Sequence, residues 1–164
     1  MICLFLVIGL VAAESHGKPR PFSGRNFRDG LILQASVNNR ARNFYGLAQL
    51  ALHANRAREF YGLAQLGMFN YGRDFGGVGQ LGIQNLSKNF IGVGQFGVHN
   101  RSERLFAGAG QFGFFNEAGR EFYAAMQVGV VNNAREFIGG FQLGVVNVMD
   151  GHDFMGPSQF GVVN

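Results

Sequence analysis

The chain of 164 residues has no tryptophan and no threonine, three prolines, and a single cysteine, Cys3. Each shortage removes a class of function. Without threonine there is no threonine ladder of the kind an ice-binding face is built on. Cys3 lies inside the apolar run 2–13, so the remainder of the chain supports neither disulfides nor thiol chemistry. The histidines His16, His53, His99 and His152 are too scattered to form a metal set. Serines are few and none stands in a nucleophile-elbow setting. The carboxylates come about one per repeat, in a row, which is the pattern of a solvated edge and not of an acid and a base facing across a cleft. Calcium-binding beta-rolls need aspartate in turns that here hold arginine. The reading is therefore of a non-enzymatic chain with no cofactor, no metal, no small-molecule substrate and no specific nucleic-acid partner.

What the chain has in abundance is glycine, 26 residues, and phenylalanine, 18 residues. Charged residues make up 15 %, too few for a disordered polar tract. Both abundant residues fall into one sentence, FxGxxQxGxxN, seen most plainly as FIGVGQFGVHN at 90–100. Further copies occupy 44–55 (one residue longer), 60–70, 75–85, 106–116, 122–132, 137–147 and 154–164, with a degenerate first unit at 30–39 read as a cap. The glutamines Gln34, Gln49, Gln65, Gln80, Gln95, Gln111, Gln127, Gln142 and Gln159 recur at steps of 15 to 17 residues. A short fixed period marks a chain that stacks one unit on the next.

The units mix beta-branched and aromatic residues with glycine and show no helical spacing, so the fold class is all-β. The sequence predicts a repeat β-solenoid of about nine coils, with an antiparallel up-and-down β-meander as the alternative. Stacking favours the solenoid. It brings identical residues into register, so that the glutamines bond one another as a ladder, Asn70, Asn85, Asn100, Asn116, Asn132 and Asn147 do the same, and the phenylalanines stack. Glycines mark sharp bends or close backbone approach in two columns, one through Gly62, Gly77 and Gly92 and one through Gly67, Gly82 and Gly97. A transmembrane barrel is disfavoured, because strict alternation would put Gln and Gly on the same face as Ile and Val.

The chain divides into 1–13, 14–29 and 30–164. The apolar run in 1–13 has the length of a signal peptide, with Val11 and Ala13 at the positions before a cleavage point, and predicts export to the cell surface or medium. Residues 14–29 are polar, hold Pro19 and Pro21, and read as a flexible leader. Residues 30–164 are the repeat domain. Charge is uneven: 15–58 carries eight basic residues against Asp29, while 59–164 carries six basic against eight acidic. Arg40, Arg42, Arg56 and Arg58, with Tyr45, Tyr61 and Phe69 expected to be exposed nearby, form a candidate patch for an anionic surface or polysaccharide. The acidic row Glu59, Asp74, Glu121, Glu136 and Asp153 is expected to run beside the basic one.

QLGVVN at 142–147, with QFGVHN at 95–100 and QVGVVN at 127–132, resembles the GxQxGxxN repeats of the leptospiral-type bacterial surface-repeat family. NNAREFIGGFQLGVVN at 132–147 is similar to that family's longer run, NxAxxFxGxQxG. The resemblance covers 30–164, with one departure: most units here have an extra residue between the first glycine and the glutamine. It implies an exported bacterial surface protein of undefined biochemical role; a structural or display role is the reading that the stacked repeat itself suggests. The QxGxxN cores at 80–85, 95–100 and 111–116 are also similar to those of the curli amyloid subunit, although the second half-unit of curli is missing. That likeness supports the stacked-strand geometry more than fibre formation; self-association through exposed solenoid ends is expected from the repeated ladders.

Overall fold

The computed structural model describes residues 23–25 and 33–163, so the segment read as a signal peptide, 1–13, lies outside the described residues. The strands are β1 (Ser23–Arg25), β2 (Leu33–Tyr45), β3 (Ala48–Leu66), β4 (Phe69–Leu81), β5 (Gln84–Ile91), β6 (Gly94–Phe96), β7 (His99–Phe112), β8 (Phe115–Val128), β9 (Val131–Leu143), β10 (Val146–Met155) and β11 (Ser158–Phe160). They form one sheet in the order β1-β2-β3-β4-β5-β7-β8-β9-β10, with β6 between β4 and β7 and β11 on β9. Each pairing is parallel. A meander would pair neighbours antiparallel, so the protein is a β-solenoid in which the chain returns above itself after each repeat. Within 14–29 the described residues Ser23–Arg25 are extended, and run parallel to Asn38–Arg40.

Register follows the repeat. Gln65 pairs with Gln80, Asn70 with Asn85 and Phe75 with Phe90, and each of these columns continues along the rod. Phe75, Gln80, Asn85, Phe90, Gln95 and Asn100 are five residues apart in sequence, and all point inward. Between the glutamine and the asparagine the chain bends at Gly82–Ile83, Gly97–Val98, Gly113–Phe114 and their equivalents. At Gly97 a Cβ would press on the Gly82 carbonyl oxygen and lie 2.8 Å from Asn85 Nδ2, so only glycine lets the coils close to sheet spacing there. In the other column a Cβ on Gly92 would strike the Gly77 carbonyl oxygen.

Repeats of 15, 16 and 17 residues still keep these columns aligned, because the extra residues are placed where nothing packs inside. Register shifts fall between Ser87 and Asn89, Ala118 and Glu121, and Met149 and Asp153, all in the polar linker before the phenylalanine. One more falls at Leu52 and His53, where β3 bulges past β2. The core is the phenylalanine column: Phe44, Phe60, Phe75, Phe90, Phe106, Phe122 and Phe137 stack with centroids 4.8 to 5.0 Å apart and nearly parallel planes. That is the offset-stacked arrangement aromatic rings favour, repeated at the spacing of the strands.

Candidate functional site

Two amide ladders fill the interior beside the phenylalanines. Gln49 Nε2 donates to Gln34 Oε1, Gln65 to Gln49, and so on through Gln80, Gln95, Gln111, Gln127 and Gln142 to Gln159, at 2.7 to 2.9 Å. Each donor points back toward the preceding coil. The asparagines run the other way: Asn39 Nδ2 donates to Asn55 Oδ1, Asn55 to Asn70, and onward through Asn85, Asn100, Asn116 and Asn132 to Asn147, at 2.8 to 3.0 Å. The second asparagine hydrogen is used as well. Asn55 Nδ2 donates to the Leu66 carbonyl at 2.8 Å and Asn70 Nδ2 to the Leu81 carbonyl at 2.9 Å, fastening the bend of the following coil. A buried amide is tolerable only when its hydrogen bonds are made, and the repeat makes them by placing the same amide on the next rung.

The ladder ends on an unmade hydrogen bond. Gln34 is 3 % exposed and accepts from Gln49, yet its own Nε2 has no hydrogen-bond partner. Among the described residues strand β1 pairs only with Asn38–Arg40, so no described strand supplies a glutamine-level rung before Gln34.

A further inward column was not visible in the repeat pattern. Ala41, Ala57, Gly72, Ser87, Ser102, Ala118 and Ala134 stand two residues after each asparagine and pair rung on rung. Their shared property is smallness, which a search for identical residues passes over. Ser87 and Ser102 are bonded through their hydroxyls at 2.9 Å, Gln95 Nε2 donates to Ser87 Oγ at 3.2 Å, and Ser102 Oγ donates to Gln95 Oε1 at 3.3 Å.

Outside, every charged residue from 40 to 153 lies in or beside the linker that precedes the phenylalanine. Charge therefore runs along one edge of the rod. Arg40 and Arg56 are adjacent rungs, and Arg42 and Arg58 lie between the aligned pairs Ala41 with Ala57 and Asn43 with Glu59. All four are exposed. A shallow groove of about 530 Å³ gathers Arg40, Arg56 and Arg58 with Arg73, Lys88 and Tyr71, with Glu103 as its one acidic wall; Arg42 is not among its walls. The Arg56 guanidinium sits 5.2 Å from the Tyr71 ring centre, a cation–π contact that holds it extended along the groove. Arg73 is paired with Asp74 at 3.5 Å. Among the described residues no carboxylate stands within 4.0 Å of Arg40, Arg42, Arg56, Arg58 or Lys88.

The aromatic members of the patch divide. Tyr45 and Tyr61 are exposed and stacked at 5.4 Å, but Phe69, expected to be exposed, is half-buried against His53 and Tyr71. The acidic residues share one aligned column, with Glu59 beside Asp74 and Glu121 beside Glu136, but Asn89 and Leu105 interrupt it between Asp74 and Glu121. No group of three or more His, Cys, Asp or Glu among the described residues could hold a metal ion. Comparison with family models, with curated proteins and with solved structures found no match for this chain.

Proposed function

We propose that this protein is an exported, non-enzymatic repeat rod with a structural or surface-display role, whose coils add to those of further copies end to end. The observation that carries the reading is the buried, unpartnered Gln34 Nε2 at one end of a column whose other members are bonded rung to rung. An unmade hydrogen bond at a buried amide costs about 1–3 kcal/mol, which a further rung would recover. By the polarity of the ladder, Gln159 Oε1 of another copy is the acceptor such a join would use. The apolar run 2–13 and the likeness to exported surface repeats support the location. Negative-stain microscopy with fibre diffraction on concentrated protein tests it. Fibres with an axial reflection near ~4.8 Å are the expected result. Discrete short particles that do not lengthen with time or concentration would overturn end-to-end growth.

A second reading has its own observation. The groove holding Arg40, Arg56, Arg58 and Lys88, without a carboxylate partner for any of the four, suits a linear anionic polymer such as an acidic polysaccharide lying across successive coils. Binding of heparin as a model polyanion should weaken steeply with salt if those cations meet it, and binding insensitive to salt would sink this reading.

A further inference from the structure

The side of the rod opposite its charged edge is apolar and open. In each coil the residues between the phenylalanine and the asparagine carry no charge, and their outward side chains form columns along the axis. Val78, Leu81 and Ile83 on one coil and Val93, Phe96 and Val98 on the next are 40 to 53 % exposed. Phe96 stacks on Phe112 at 5.0 Å, so the outer face has ordered ridges of its own. Nine rungs at about 4.8 Å and a width of about 15 Å give roughly 600 Å² of flat apolar area, before side-chain relief is added. Isolated apolar side chains on a surface are ordinary, whereas a contiguous patch of this size marks an interaction surface. With relief it approaches the roughly 800 Å² per partner of a standard interface.

We infer that this face packs against the same face of a second copy of the chain, with the two rods antiparallel. Face-to-face packing is isologous, so each ridge meets a ridge of the same chemistry, and no charge has to be desolvated. One feature sets the direction. At the first coils the face sinks into an apolar depression of about 680 Å³, walled by Ala35, Val37, Leu50, Ala51 and Leu52, where Ala35 holds the place taken by Leu81 and Phe96 on later coils. At the far end it is raised by Phe141 and Phe160, which are 42 and 54 % exposed. An antiparallel partner places its raised end over the depression; a parallel partner sets depression on depression.

Cross-linking tests the arrangement on the full chain in a Cys3→Ser background. Counting glutamine rungs, Leu50 lies on the second and Leu143 on the eighth, so an antiparallel pair centred on the fifth rung brings them together. A bis-maleimide about 10 Å long spans two face-packed sheets. Mixing Leu50→Cys protein with Leu143→Cys protein should give a covalent dimer, while Leu50→Cys alone should not. Adding Leu81→Glu and Phe96→Glu should cut the yield at least tenfold with the strand circular dichroism unchanged. End-to-end joining leaves Leu143 of one copy three rungs, about 14 Å, from Leu50 of the next, farther than the cross-linker is long, and a link made that way would not respond to Leu81→Glu and Phe96→Glu, so failure here is distinct from failure of fibre growth. Absence of the mixed dimer, cross-linking of Leu50→Cys with itself, or monomers that instead bind neutral phosphatidylcholine vesicles through this face would each overturn the pairing.

Discussion

The first three coils and the last three share an interior and differ along their edge. Inside, both present phenylalanine, glutamine and asparagine columns at the same spacings, with Phe44, Phe60 and Phe75 at one end matched by Phe122 and Phe137 at the other. Along the edge, residues 33–74 hold Arg40, Arg42, Arg56, Arg58 and Arg73 against Glu59 and Asp74. Residues 117–153 hold Arg120 and Arg135 against Glu117, Glu121, Glu136, Asp150 and Asp153. The difference follows from what each position touches. An inward side chain meets its own counterparts above and below, so a change at one rung disturbs three; an edge side chain in water meets little, and its sign is free to change along the rod.

The comparison breaks first if the interiors are unequal. Phe60→Ala and Phe122→Ala each remove a fully buried ring from the same stack and should each cost about 3–5 kcal/mol in chemical denaturation, equally within about 1 kcal/mol. A large disparity would mean that the two ends are not packed alike. Gln95→Leu comes next, since it leaves Gln80 Oε1 without its donor and Gln111 Nε2 without its acceptor, at about 1–3 kcal/mol for each buried group. Gln34→Leu orphans Gln49 Nε2 but also removes the already unpaired Gln34 Nε2, so its net cost should be close to zero and well below that of Gln95→Leu, a contrast that paired melting curves would read.

The edge is sharpened by charge. Replacing Arg40, Arg56, Arg58 and Arg73 with glutamine should lower heparin affinity about tenfold or more at low salt and flatten its salt dependence, while replacing Arg120 and Arg135 should leave both nearly unchanged. Equal losses from the two ends would show that net charge and not the groove governs binding. The smallest effect is Glu136→Lys, which turns the like-charged rung neighbours Glu121 and Glu136 into an opposite pair. It should raise stability by a few tenths of a kcal/mol, visible at low ionic strength and erased by salt.

The parts of this architecture that were legible in sequence are those where stacking demands identity. Glutamine must follow glutamine and asparagine must follow asparagine, because each completes the other's hydrogen bonds, so these columns stand out in the unaligned chain. The column from Ala41 to Ala134 requires only smallness, and alanine, glycine and serine satisfy it interchangeably, which hides it from a search for repeats. The second asparagine bond, to the Leu66 or Leu81 carbonyl, is made to backbone and leaves no trace in residue identity. The arginine patch was seen only in part, since Arg73, Lys88 and Tyr71 join Arg40, Arg56 and Arg58 across rungs while Arg42 lies outside the groove walls. Which neighbours share a groove depends on register, and register at the linkers shifts wherever a repeat is longer.

The opposed directions of the two amide columns bear on how long such a rod can be. Each side-chain amide is a dipole comparable with the about 3.5 D of a peptide unit, and a column aligned one way would sum to a field that grows at its tips with each added coil. Here glutamine dipoles and asparagine dipoles are enrolled in equal measure and in contrary senses, so their axial sum stays near zero whether the rod has three coils or thirty. Length is thereby released from electrostatic penalty, and the number of repeats becomes free to vary with whatever span the protein must bridge.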